Sequence, residues 1–181
     1  MKFNSCKYLF AYQVNLKNSW REFYQGTVKN KLRADSRRQN RRLAEIGEIN
    51  FVVAQDRGSK KKIIDKMIEQ KSLRYRDTGV WDMLAVPEHK TFYEKLVDVQ
   101  NDSLNIHCVA LLVGDTVVAT HVGILDEDTI YYLMPAHEGG DWEKFSPGRL
   151  LLEKLMEWSI HKKLKVFDFT VGLEQYKKVW S

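Results

Sequence analysis

A chain of 181 residues, 44% of them hydrophobic, has the material for one hydrophobic core and does not have the composition of a disordered tail. Its 29 Lys and Arg against 24 Asp and Glu give a formal charge of +5, which favours anionic partners without requiring nucleic acid. The sequence contains no apolar run of about eighteen residues, and polar Met1 to Lys7 precedes only the short apolar run Tyr8 to Tyr12, so neither a membrane span nor a signal peptide is read and a cytoplasmic location is expected.

Tyr8 to Val14 reads as a short strand, and Asn18-Ser19 as the cap of a helix from Trp20. From Val28 to about Ile46 the period is helical, with Val28, Leu32, Leu43 and Ile46 along one side and Gly47 as the stop. Five arginines fall between Arg33 and Arg42, with Arg33, Arg37 and Arg41 aligned at i, i+4 and i+8. Such a row repels itself unless water, counterions or a bound anion screens it, so a solvated face and an anion-binding face both stand. Glu48 to Gln55 is a strand, and Ser59 to about Arg76 is a second amphipathic helix built on Ile63, Ile64, Met67, Ile68 and Leu73, with Lys60 to Lys62 on its surface. A loop at Asp77-Thr78-Gly79 leads past Pro87 to a third helix, Glu88 to about Val99, which uses Phe92, Tyr93, Leu96 and Val97 and ends at Asn101-Asp102-Ser103.

Leu104 to Val113 and Thr116 to Leu125 flank Gly114-Asp115, the two-residue turn of a hairpin. Counting outward from that turn sets Leu112 opposite Val117 and Cys108 opposite His121, and so places His121 on one face with Ile106, Cys108, Ala110, Leu112 and Ala119. A histidine on such a face is either a satisfied core group or a catalytic one. Cys6 and Cys108 have no metal or redox spacing, so reduced thiols and no metal are expected. Beyond the turn Asp126-Glu127-Asp128 comes a third strand, Thr129 to Met134, and then a polar loop, Pro135 to Phe145, carrying His137, Glu138 and Gly139-Gly140.

Phe145-Ser146-Pro147-Gly148-Arg149-Leu150-Leu151-Leu152 opens a helix that runs to about Lys163. Ser146 suits the N-cap, Pro147 the first helical position, and Gly148 lets another molecule approach the backbone. Leu151, Leu152, Leu155, Met156 and Ser159 form its buried stripe, with Glu153, Lys154, Glu157 and Lys162 on the wet side. Lys165 to Phe169 follows as a strand, so strand, helix and strand make a crossover unit joining parallel strands. A ligand of such a unit sits beyond the strand ends, at a helix N-terminus suited to phosphate. Asp168, inside an apolar strand, occupies a costly place for a carboxylate unless a partner or a function keeps it there.

Ser146 to Leu152, followed by Phe167-Asp168-Phe169 with Gly172, Glu174, Tyr176-Lys177 and Trp180, resembles the GNAT acyltransferase superfamily. Within it the sequence is similar to the CelD/BcsL-type branch associated with cellulose and other exopolysaccharide biosynthesis. The resemblance implies a single GNAT-like α/β (α+β) domain over residues 1–181, with a mixed, mainly antiparallel sheet, helices on both faces and one splayed parallel strand pair. The pantetheine arm of acetyl-CoA or another acyl-CoA would enter the splay between Thr129 to Met134 and Val166 to Phe169, with Ser146, Gly148, Arg149 and Leu150 at the pyrophosphate. The superfamily's usual Arg/Gln-x-x-Gly-x-Gly/Ala loop is absent here and Ser-Pro-Gly-Arg replaces it. Fem-type peptidyltransferases use the same fold with aminoacyl-tRNA as donor. Relatives commonly continue past the Tyr-Lys-x-x-Trp motif or carry a second GNAT-like half, so such a half or a homodimer is the expected protein partner. A scaffold or ligand-binding module is the non-catalytic alternative, and nucleic acid is otherwise not expected.

For acyl transfer to an amine or hydroxyl acceptor, a small molecule or saccharide, the chemistry needs a base, an N–H for the oxyanion and an acid for the thiolate. The base candidates are Asp168 and Glu174, then His121 and His137; Tyr176 is the candidate acid, and the backbone near Leu133 the oxyanion donor. His137, from the loop where substrate arrives, and Lys177, as an anion holder, are assigned to substrate binding.

Overall fold

The computed structural model describes residues 10–99, 105–172 and 174–180. Strands Ala11–Asn15 (β1), Ile49–Val53 (β2), Asn105–Val113 (β3), Thr116–Asp126 (β4), Thr129–His137 (β5) and Val166–Val171 (β6) form one six-stranded sheet in the order β1-β6-β5-β4-β3-β2. Every neighbouring pair is antiparallel except β5 and β6, which are parallel. The crossover between those two is the helix Pro147–His161 (α5). One face of the sheet packs on α5 and on the helices Trp20–Thr27 (α1) and Asn30–Ala44 (α2), through Phe23, Leu43, Leu151, Leu155, Phe167 and Phe169. The other face packs on the helices Arg57–Thr78 (α3) and Pro87–Lys95 (α4) and the turns beside them, through Ile64, Met67, Leu84, Cys108, Ala110 and Val122. The mixed sheet with helices on both faces is therefore the architecture the sequence implies.

Several boundaries move for physical reasons. The helix expected over Val28 to about Ile46 is α2 with tighter bounds, because Val28 N–H instead closes α1 on Tyr24 O and α2 runs only from Asn30 to Ala44. Val28 is buried at that corner, while Ile46 is exposed. Gly47 is needed because its backbone passes the hairpin turn, where a Cβ would lie 2.9 Å from Gly114 N. A capping box between Asp56 and Ser59 starts α3 earlier than expected, at Arg57. The third helix ends at Lys95 and tightens into a 3₁₀ turn, Leu96–Asp98. The expected starts at Tyr8 and Leu104, the stop at Asn101-Asp102-Ser103, and Cys6 lie outside the described residues.

Three bulges shape the sheet. Leu112 faces Val117 as the turn dictates, but Leu111 faces Ala119, so Val118 is an extra residue and Val118 and Ala119 are both buried in the α5-side core. The expected pairing of Cys108 with His121 is thereby overturned: Cys108 faces Val122, and Val109 faces His121. A one-residue slip exchanges the faces, so His121 belongs with Val109 and Leu111 rather than with Cys108 and Ala110.

The second bulge creates the opening. Val122 faces Met134 while Ile124 faces Tyr131, and β5 pairs with β6 only from Thr129 to Tyr131, the last register being Tyr131 with Asp168. Tyr132 and Leu133 thus have no register partner on either neighbouring strand, and the two parallel strands part there. The third bulge lies in β6, where Tyr12 faces Thr170 and Gln13 faces Asp168. Thr170 there has φ +59°, and its N–H donates to Asp168 Oδ1 at 2.6 Å.

Candidate functional site at the strand splay

Where β5 leaves β6, a cavity of about 630 Å³ opens against the first turn of α5, a volume suited to a small ligand. Tyr132, Pro135, Ala136 and His137 of β5 line it on one side and Ser146 to Arg149 with Leu152 on another. Lys71 and Arg74 reach it from α3, Leu32 from α2, Glu143 from the turn before α5, and Glu174, Tyr176, Val179 and Trp180 from the end of the chain. The last two belong to a short helix, Lys177–Trp180 (α6). The polar loop expected over Pro135 to Phe145 is instead the end of β5 followed by a 3₁₀ turn, Gly140–Phe145.

The helix end is constructed differently from the N-cap expectation. Ser146 adopts a left-handed conformation, φ +53° and ψ +51°, and its side chain makes no capping hydrogen bond. Its carbonyl accepts from Arg149 N at 3.1 Å and from Leu150 N at 3.2 Å. Pro147 has no N–H to offer, so Gly148 N–H is the first-turn amide left without a backbone partner among the described residues. The side chain that comes close to Gly148 is the protein's own His137, whose Cδ2 would lie 2.9 Å from a Cβ at that position. Its Nδ1 lies 2.9 Å from Glu138 O, and its Nε2 3.2 Å from Arg74 Nη1. A carbonyl only accepts and a guanidinium only donates, so Nδ1 carries the hydrogen and Nε2 accepts from Arg74.

Arg149 points sideways. Its Nη2 donates to Asp35 Oδ2 of α2 at 2.5 Å, while its buried Nε has no partner among the described residues. The Arg149 hydrogen bond holds the Asp35 carboxyl below the usual carboxylate range, with Arg38 adding to the effect. One turn on, Glu153 is not on the wet side as expected. It is buried, accepts from Ser36 Oγ at 2.5 Å and has its carboxyl pKa raised by that burial. Beside it burial and the Glu153 charge push the Tyr24 hydroxyl up to about 12. Buried polar groups of this kind fix how α5 sits on α1 and α2.

Lys71 and Arg74, one turn apart on α3, are site residues that no motif in the sequence marked. Neither has a carboxylate partner among the described residues, and burial lowers the Lys71 pKa from its ordinary value. Gln70, fully buried, fixes α3 at this level by donating to Val117 O at 3.1 Å and accepting from Thr120 Oγ1 at 2.8 Å. At the other wall Lys177 Nζ donates to Val171 O at 2.7 Å and pairs with Glu174 Oε2 at 3.0 Å. Burial works to raise the Glu174 carboxyl, and is outweighed by a backbone N–H and Lys177, so the group is held below the usual range. Burial, with Glu174 nearby, pushes the Tyr176 hydroxyl pKa well up.

The cavity therefore brings together Glu174, Tyr176, His137, Ser146, Gly148 and Arg149, with Lys177 behind Glu174. It does not include His121, which is fully buried with its ring stacked on Tyr132 at 4.5 Å and both nitrogens without partners among the described residues. Burial holds His121 well below its ordinary pKa, reinforced by His107 and Lys71. Asp168 also stands apart, its carboxylate on Thr170 N–H. Leu150 is a core side chain at 1% exposure, and Leu133 is exposed in the unpaired stretch without lining the cavity. Among the described residues no cluster of three His, Cys, Asp or Glu is arranged for a metal, and no helix is long and apolar enough to cross a membrane.

Residues 30–178 match the family model described as an acetyltransferase (GNAT) domain. No curated protein matches the chain in sequence. Among solved structures, FemX aligns with a TM-score of 0.69 at 9% identity, over 94% of this chain and 57% of that one. A conserved protein of unknown function from Bacteroides thetaiotaomicron aligns at TM-score 0.61 and 11% identity, over 96% of this chain and 55% of that one. The C-terminal DUF2156 domain of an Agrobacterium fabrum protein assigned as a lysylphosphatidylglycerol synthetase aligns at 0.52 and 13%, over 96% and 51%. The chain thus spans about half the length of each of these structures, and at such identities they report on the fold alone.

Proposed function

The chain belongs to the GNAT acetyltransferase domain family, and on that footing we propose that it is an acyl-CoA-dependent acyltransferase, using acetyl-CoA first, acting on an amine or hydroxyl in the cytoplasm. The observation that carries this reading is the 630 Å³ cavity, which runs from the unpaired stretch of β5 to the bare first turn of α5 with Lys71 and Arg74 beside it. Gly148 N–H, the Ser146 hydroxyl and the two α3 cations would hold the donor diphosphate, with Arg149 joining them on leaving Asp35. The acyl carbonyl would lie along Tyr132, where β5 has no register partner on either side, and the backbone near Leu133, next to the lining, would supply the N–H for the developing oxyanion.

In the transfer step the acceptor's lone pair forms the new bond to the acyl carbon and the carbon–sulfur bond breaks. Glu174, kept ionised by Lys177, takes the acceptor's proton, and Tyr176, kept protonated by burial, gives one to the thiolate. His121 and Asp168 support the fold in this scheme, and His137 gates the helix end. A place in the CelD/BcsL-type branch rests on Ser146 to Leu152 together with the Phe167-Asp168-Phe169 and Tyr176-Lys177 motifs, and a saccharide acceptor only on what that branch is associated with; no metal is assigned a role. A second GNAT-like half is suggested as a partner by neighbours about twice as long. Arg149 held on Asp35, with His137 on Gly148, favours a second reading, a binding module that does not turn over. The FemX likeness keeps a Fem-type aminoacyl-tRNA donor beside it.

Calorimetric titration with acetyl-CoA, followed by a thiol-release assay over a panel of amines and saccharides, separates these. Saturable one-to-one heat with thiol release supports the acyltransferase. Heat without release on any acceptor leaves the binding module, and no heat at millimolar acetyl-CoA removes acyl-CoA as the donor.

A further inference from the structure

A second hollow of about 500 Å³ adjoins the first and is lined by Thr27, Lys29, Lys31, Asp35 and Lys178, with Leu32 and Val179 shared between the two. The wall dividing them contains an ion pair: Arg149 lines the first cavity, Asp35 the second, and the two meet at 2.5 Å. Lys29 and Lys31 come from the α1–α2 corner and Lys178 from α6, so two distant stretches of chain bring three lysines to the lining of one depression. Among the described residues none of the three has a carboxylate at ion-pairing distance. The one acid in the lining, Asp35, is already taken by Arg149 and Arg38. No side-chain hydrogen bond caps the first turn of α2 there.

Three lysines around one space repel, weakly where water and counterions screen them, and an anion seated among them relieves that repulsion directly. Mobile ammonium stems suit a multiply charged, rotating group rather than a planar carboxylate, which is matched better by a guanidinium. We propose that this hollow is a second anion seat, taking a phosphate monoester or diphosphate borne by one of the two substrates. That the ligand is a substrate rests on the acyltransferase reading; the anion site itself does not. The phosphate comes either from the donor, as a terminal phosphate reaching past Leu32 and Val179, or from a phosphorylated acceptor lying beside the acyl group. In either case Arg149, between the cavities, is placed to feel both anions.

The test compares the wild-type chain with K29M/K178M, which keeps the aliphatic stems, and with K29E/K31E/K178E, after melting curves show each folded. Calorimetry is run with acetyl-CoA, CoA, 3′-dephospho-CoA and inorganic pyrophosphate. A preference for CoA over dephospho-CoA of about tenfold in the wild type, lost in the variants, supports the seat and assigns the donor's phosphate. Equal binding of the two CoA forms, with pyrophosphate still binding to the acetyl-CoA-saturated wild type and at least tenfold weaker in the variants, supports the seat and assigns an acceptor phosphate. Pyrophosphate affinity and CoA preference both unchanged in the variants overturns the proposal while leaving acetyl-CoA binding to stand on its own. Acetyl-CoA giving no heat while pyrophosphate is lost in the variants does the reverse, keeping the seat and removing the donor reading.

Discussion

His137 lies over Gly148 so closely that a Cβ at Gly148 would sit 2.9 Å from His137 Cδ2, and the ring is held there by Glu138 O at 2.9 Å and Arg74 Nη1 at 3.2 Å. The bare helix end and the side chain that covers it are one device, because the absence of a side chain on one residue is what allows the other to lie flat. G148A should therefore act on the ligand more than on the fold. Alanine favours a helix by roughly 0.5–1 kcal/mol over glycine, while the ring must yield by a few tenths of an ångström. The melting temperature should stay nearly level and acetyl-CoA affinity should fall by about tenfold, as read by calorimetry. H137A/G148A should recover most of that affinity; equal loss in both variants would show that His137 is not what the new methyl group disturbs.

The second anion ligand expected of the site, Arg149, is held at 2.5 Å by Asp35. D35N removes the charge that draws it sideways. Acetyl-CoA should then bind several-fold more tightly, because the guanidinium no longer has to leave a carboxylate, and stability should drop by no more than about 1 kcal/mol for so partly exposed a pair. Matched titrations and chemical denaturation check both numbers. Weaker binding in D35N would mean that Asp35 positions Arg149 for the ligand rather than competing for it.

What was legible in the sequence is what depends on near neighbours. Ser146-Pro147-Gly148 announces a helix start and Gly114-Asp115 a hairpin turn because the cause sits within a few residues of the effect. The bulge at Val118 was not legible, since Val117, Val118 and Ala119 are all apolar and the alternation that would reveal an extra residue is erased. That single residue decides which face His121 occupies, so a candidate base turned out to be a ring sealed against Tyr132. Ser36 and Glu153 each look like solvent-facing polar residues until α2 is docked on α5 and they meet at 2.5 Å. Lys71 and Arg74 carry no local mark at all: their place in the cavity follows from α3 being pinned beside β5 through Gln70, a relation between segments rather than within one.

Glu174 and Tyr176 line the cavity with opposite protonation tendencies, the carboxyl held low and the hydroxyl pushed up. Paired groups driven apart in this way suit a base and an acid working at one pH. E174Q and Y176F should each lower kcat by about 10² while leaving the acetyl-CoA KM within about twofold. Since Tyr176 stays protonated across the working range, the alkaline limb of the rate profile should be unchanged in Y176F. A KM effect with kcat untouched would move both residues from chemistry to binding.

A last prediction concerns stability and uses a group away from the cavity. His107 is buried, its ring 4.5 Å from the Trp158 ring and both nitrogens without partners among the described residues. Burial lowers its pKa from the ordinary 6.5 to about 4, with Lys60 adding a smaller push in the same direction. In the unfolded chain the ring takes its proton near pH 6.5, whereas in the fold it waits until about pH 4. Between those values the unfolded state binds more protons, so stability is fully present above pH 6.5 and is lost as the pH falls toward 4, by roughly 3 kcal/mol from this ring alone. His121, held low by its own burial, adds to the loss in the same direction. H107F keeps an aromatic ring against Trp158 and removes the titration, so its unfolding free energy, measured by denaturant melts between pH 7 and 4, should decline less steeply than the wild type's by about that amount. Carboxylate titrations are common to both proteins and cancel in the difference. Parallel pH profiles would show that His107 takes up its proton inside the fold as readily as outside it, through a route to solvent that the packed ring against Trp158 does not offer.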